Sequence, residues 1–311
     1  MNPSRNRLAA TTAILFLACS EISTHGQTAD SGLTLSSAGS TIHVAFSSPP
    51  PAALKQAIQT WITKAATAVT NYYRRYPVSV VNVTVNLRNR PGAGGGHASG
   101  WNGARIEVAV GRNTTSAQFD DDWIMTHEMV HLALPSVAEK HHWIEEGLAT
   151  YIEPVARARV GQLSPEKIWG DMVDGMPNGL PEGGDRGLDH TPTWGRTYWG
   201  GAMFCLYADV EIRRRTHNQK GLEDAMRAVL EKNGNIQTEA ELTDLLTTGD
   251  QATGVPVLTE LFNEWSAKPV TPDLNAFWKQ LGVVSDGKTV RFDDSAPLAS
   301  VRKAITFGIA K

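Results

Sequence analysis

Apolar and polar residues alternate along two early stretches of the chain and recur at three- and four-residue spacing through most of its remaining length. Val81, Val83, Val85 and Leu87 alternate with Asn82, Thr84 and Asn86, and Ala104, Ile106, Val108 and Val110 alternate with Arg105, Glu107 and Ala109. This period of two predicts strands over 78–87 and 104–110, with a shorter strand over 43–46. A helix is predicted over 52–73, behind Pro50 and Pro51. The Gly-rich stretch 90–103 between the two long strands reads as a flexible hairpin connection. It carries neither the Lys-Ser/Thr of a phosphate loop nor the spacing of a dinucleotide fold. Later helices are predicted over 196–216, 221–232, 238–247, 257–267 and 272–281. The segment 162–195, rich in Gly, Pro and Asp, reads as an irregular connection, and 289–292 as a short strand. The pattern predicts an α+β fold, with a small N-terminal α/β lobe over 41–160 and a mainly helical lobe over 161–311.

Two helical patterns lie between the strands and the later helices, and the first carries the chemistry. It contains His127-Glu128-Met129-Val130-His131. Residues four apart share one helix face, so both imidazoles can reach one cation, with Glu128 one step round beside them. This is the zinc-peptidase spacing. Asp120, Asp121 and Asp122 suit the helix N-terminus, and Pro135 ends the segment. Ile124, Met125, Val130, Leu132 and Leu134 supply apolar faces, so the helix is expected to be buried. Two solvated histidines on a polar face are the blander reading. Buried imidazoles need a partner, and a metal supplies one.

A catalytic zinc needs a third protein ligand. Leu134 and Val137 stand where a metzincin would have Gly and His, which excludes that class. The second pattern, from His142 to Tyr151, offers Glu145, Glu146 and, one turn on, Glu153. Spacing alone does not choose among them. His141 and His142 read as solvated loop residues ahead of this helix.

The run Trp143-Ile144-Glu145-Glu146-Gly147-Leu148-Ala149-Thr150-Tyr151 resembles the W-L-N-E-G-F-A-S-Y segment of gluzincin aminopeptidases. The resemblance implies a zincin-like fold with His127, His131 and Glu146 as zinc ligands and Glu128 as general base. Thr150 matches a small hydroxyl residue of that family, and either orients a ligand histidine or sits on a half-exposed helix face. The connection between His131 and Glu146 is shorter than in those aminopeptidases. Further on, Tyr198-Trp199-Gly200-Gly201-Ala202 resembles their Y-x-K-G-A helix, which implies that Tyr198 donates to the oxyanion. The closest resemblance is to the glycyl aminopeptidase family. There the helix ends in L-D-L-x-I-R, and an S-L-D-D-V-M-R segment resembles Gly221 to Arg227 here. It covers 120–282. It does not extend to an N-terminal β domain or to the G-x-M-E-N segment that holds a substrate's free amine. By the same resemblance, the strand 106–111 is expected at the sheet edge, pairing with extended substrate. Asp209 and Glu211 are expected to pair with Arg213 to Arg215 rather than to do chemistry.

Composition narrows the setting. The chain has 311 residues and a net charge of −3, so it has no basic footprint for nucleic acid. Arg5 and Arg7 precede an apolar run from Leu8 to Cys19 that is too short to span a bilayer. This predicts a signal peptide over 1–26 and a secreted or periplasmic protein, with lipid anchoring through Cys19 as the alternative. Of two cysteines, Cys205 then remains, as a core residue. No other stretch has membrane length, no internal repeat is present, and nothing in the pattern assigns an oligomeric state. The expected partner is a peptide or protein substrate. Two other classes share these residues: a zinc hydrolase of non-peptide amides or epoxides, and a secreted binding protein that keeps zinc without turnover.

Overall fold

The computed structural model describes residues 32–308. The expected signal peptide, 1–26, and Cys19 lie outside the described residues. The fold is α+β. Strands β1 (Leu33–Ser37), β2 (Ser40–Phe46), β3 (Val80–Arg88), β4 (Ala93–Ser99) and β5 (Ala104–Gly111) form one sheet in the order β1-β2-β3-β5-β4. β2, β3 and β5 run parallel, and β1 and β4 flank them antiparallel. The alternation seen in the sequence decides the faces. Val81, Val83, Val85, Ile106, Val108 and Val110 are buried, while Asn82, Arg105 and Glu107 are exposed. The buried face packs on helix α1 (Ala52–Tyr73), whose Ile58, Ile62, Val69 and Tyr72 are fully covered.

The Gly-rich stretch is not a loop connection. Half of it, Ala93–Ser99, is β4, the edge strand of the sheet, with a bulge between Gly94 and Gly96. β5, expected at the edge, is interior, because β4 covers its outer side. Gly92, Gly95 and Gly103 take positive φ, while at other glycines the backbone passes close to other groups. A Cβ on Gly111 would overlap the Arg90 backbone, and one on Gly100 would overlap Ile236.

Helices α2 (Ser116–Asp120), α3 (Ile124–His131) and α4 (His142–Arg159) follow the sheet. Asp120 thus closes α2, and Asp122, just ahead of α3, accepts from the Ile124 N–H at 3.0 Å. The segment predicted to be irregular contains α5 (Pro165–Gly175), started by Ser164 as its N-cap. A π-helical turn, Gly195–Gly200, leads into α6 (Gly201–Arg215), and α7 (Leu222–Lys232), α8 (Leu242–Thr253), α9 (Val257–Trp265) and α10 (Leu274–Leu281) come after it. The chain ends with a two-stranded ribbon of β6 (Val283–Ser285) and β7 (Val290–Phe292), then α11 (Ala299–Phe307). β1, β6 and α11 add to the elements expected from the sequence.

α4 and α6 cross closely, and two glycines permit it. A Cβ on Gly147 would lie 2.5 Å from the Gly201 Cα. Gly147 directly follows Glu146, and Gly201 directly follows the turn that carries Tyr198. The crossing therefore brings those two side chains to one place. Further along α6, Asp209 pairs with Arg213 at 2.8 Å, and Arg213 pairs with Glu223 of α7 at 2.6 Å, all buried. Glu211 pairs with Arg214 and Arg215 at the surface, in keeping with the sequence pattern. Among the described residues, no helix is long and apolar enough to cross a membrane. Cys205 is buried in α6.

Candidate metal centre

α3 presents His127 and His131 on one face, toward the first turns of α4. Their Nε2 atoms converge on one oxygen of Glu146, at 3.1 Å from His127 and 3.6 Å from His131. Ligand atoms of these three residues all lie within 4.8 Å of one another. Two imidazole nitrogens and one carboxylate oxygen, gathered on rigid helices, are the donor types and number that a catalytic zinc takes.

Burial and neighbours set the charge states. Burial lowers the His127 imidazole, and the His131 charge adds to that against the opposing pull of Glu146. Burial would raise the Glu146 carboxyl, but the hydrogen bonds and charges of His127 and His131 hold it well below the usual carboxylate range. The Glu128 carboxyl behaves differently. Burial pushes it up to about 7, with the Glu146 charge adding to the rise and His131 and the Ala98 N–H opposing it. This carboxyl faces β4: a Cβ on Gly96 would overlap it. A side chain at Gly96 would have to push the Glu128 carboxyl aside.

The other candidates fall apart from the centre. Glu145 accepts from the Val137 N–H and contacts His142, at 3.3 and 3.0 Å. Glu153 is buried against Arg157 at 2.8 Å. Of the three carboxylates, only Glu146 meets the histidines of α3. His141 is not solvated: it is buried and bonded to Asp189 at 2.8 Å, an oxygen that also accepts from the Trp143 indole. His142 is half exposed, with Nε2 3.4 Å from the second Glu146 oxygen. Thr150 does not orient a histidine. Its hydroxyl is buried without a hydrogen-bond partner.

Tyr198 stands on the π-helical turn, a local widening often found at functional sites. Its ring stacks on His127 at 6.2 Å and on Trp194 at 6.1 Å. Burial, then the Glu146 and Glu128 charges, push its hydroxyl up to about 12, so it remains a proton donor at neutral pH. A cavity of about 820 Å³ opens over the centre. Residues of β4, Trp101, His127, Glu128, His131, Glu146, Tyr198 and the 236–239 loop line it. Sequence reasoning misses β4 and this loop. The clustered glycines of 92–100 are the available signal, since they mark close approach as readily as flexibility.

No protein-family model and no curated protein matches this chain. Solved structures do. An aminopeptidase N family protein from Idiomarina loihiensis aligns with a TM-score of 0.62 at 11% identity, over 81% of this chain and 49% of that one. An M1 zinc metallopeptidase from Deinococcus radiodurans aligns with a TM-score of 0.50 at 16% identity, over 78% of this chain and 51% of that one. The chain thus shares the fold of M1 zinc metallopeptidases while spanning about half the length of these two.

Proposed function

We propose that this protein is a zinc-dependent metallopeptidase of the gluzincin type, with His127, His131 and Glu146 holding the ion. The observation that carries the reading is the convergence of these three donor groups beside the buried Glu128 carboxyl at the floor of an open cavity. Zinc bound there would polarise a substrate carbonyl and lower the pKa of water towards roughly 7. Glu128 takes the proton from the attacking water and delivers it to the leaving amine. The Tyr198 hydroxyl donates to the oxyanion as charge develops. The free edge of β4 holds an extended peptide by strand addition, with Gly96 and Ala98 placed over Glu128.

The shared fold with M1 metallopeptidases supports peptide bonds as the target over the non-peptide alternatives. The sequence resemblance of 120–282 supports a place near the glycyl aminopeptidases within that class. The N-terminal pattern of residues 1–26 supports export before activity. An intact base and an open cavity disfavour a purely binding role. The test is cleavage of a peptide library with and without a chelator, followed by zinc add-back. Chelator-sensitive cleavage restored by zinc is expected. Cleavage that survives complete zinc removal would contradict the reading.

A further inference from the structure

A second cavity, of about 660 Å³, lies against the other flank of the metal centre. Trp123, His127 and Tyr198 line both cavities. A peptide held along β4 with its reacting carbonyl at the donor cluster therefore has neighbouring residues at the mouth of this second space.

Its lining is chemically distinct. Trp123 and Trp194 are 49% and 64% exposed, and core packing does not account for either indole. Glu153 is paired with Arg157, and Asp171 with Lys167. Asp121 and Asp174 also line the cavity, and among the described residues no cation lies within ion-pair distance of either. The walls thus carry four carboxylates against two cations. Thr150 contributes a buried hydroxyl with no partner. Pro154, inside α4, has no N–H to give the Thr150 carbonyl four residues back. Indole faces, surplus carboxylates and an unpartnered hydroxyl together favour a ligand that is cationic and rich in N–H donors.

We propose that this second cavity is a specificity pocket that receives a positively charged Lys or Arg side chain of the substrate. The proposal rests on the peptidase reading of the metal centre. The cavity is far larger than an ammonium group needs, which favours a long side chain over a free α-amine.

Two measurements on the zinc-loaded protein test it. The first is kcat/KM on doubly blocked peptides that differ at one residue: Arg, Lys, citrulline or Glu. The second is equilibrium binding of N-acetyl-arginine amide against N-acetyl-citrulline amide, followed by tryptophan fluorescence. A preference for the cation of about tenfold is expected in both, the size of one cation–π contact with a carboxylate nearby. Asp121→Asn with Asp174→Asn should bring that ratio towards one, and Asp174→Lys should turn it towards Glu. Arginine-selective binding without any peptide cleavage would uphold the pocket and sink the peptidase reading. Cleavage with equal use of Arg and citrulline, and equal binding of the two amides, would overturn the pocket alone. A citrulline amide with a free amine that binds as tightly as N-acetyl-arginine amide would also overturn it, by assigning the space to the amino terminus.

Discussion

Two buried polar clusters both draw on α4, one together with α6 and α7 and the other together with α3, and they differ in how their charges are met. In one, Asp209 and Glu223 face Arg213 and Arg159, and the Tyr151 hydroxyl and the Leu222 N–H also donate to Asp209. Two carboxylates meet two guanidinium groups there. In the other, two imidazoles and two carboxylates crowd together, and about 820 Å³ of open space lies above. Among the described residues, no Arg or Lys pairs with either of those carboxylates. A buried polar cluster whose charges balance holds a fold together. One that leaves the Glu128 carboxyl raised to about 7, beside three convergent donors, is built for something that arrives from outside.

The contrast breaks most sharply at Glu128. Glu128→Gln keeps the size and the nearby Ala98 contact but cannot take a proton. Turnover should fall by ~10²–10⁴-fold, with zinc content unchanged. A peptidase assay paired with metal analysis reads both, and normal turnover would remove Glu128 as the base. In the charge-balanced cluster the effect should appear in stability instead. Arg213→Met leaves Asp209 in the interior without a cation and Glu223 with Arg159 alone, and should cost about 3–5 kcal/mol. A denaturant titration would show the lowered midpoint, and a zinc affinity that moved with it would erase the distinction between the clusters. Tyr198→Phe removes one donor to the oxyanion and should slow turnover by ~10²-fold. Unchanged rates would place Tyr198 outside the site. Gly96→Ala should have the smallest effect, a roughly tenfold loss with zinc retained, because the added methyl displaces the Glu128 carboxyl rather than deleting it. Full activity in that variant would mean that β4 does not set the position of Glu128.

What the sequence makes legible in this site is local. His127, Glu128 and His131 lie within two turns of one helix, so their spacing alone puts them on neighbouring faces. Glu146 is singled out by resemblance, since the spacing leaves Glu145 and Glu153 equally open. What chooses among them is where α4 crosses α3, a tertiary fact. β4 is hidden because glycine has little preference for strands and because strand pairing is non-local. Gly96 and Gly100 let the chain pass Glu128 and Ile236 closely, and neither neighbour is near in sequence. His141 looks solvated in the sequence for the same reason. Its partner, Asp189, comes from a distant turn. α11 is obscured because its buried face includes Arg302, whose guanidinium donates to the Leu281 and Gly282 carbonyls and so looks polar in the sequence while being covered in the fold.

The claim on which the rest depends is that His127, His131 and Glu146 form one zinc site. Titration of the metal-free protein with zinc, for the unaltered chain and for Glu146→Ala and Glu145→Ala, addresses it directly. One zinc per chain is expected, with binding largely lost in Glu146→Ala and close to unaltered in Glu145→Ala. Tight binding that survives Glu146→Ala, or that is lost in Glu145→Ala, would contradict it.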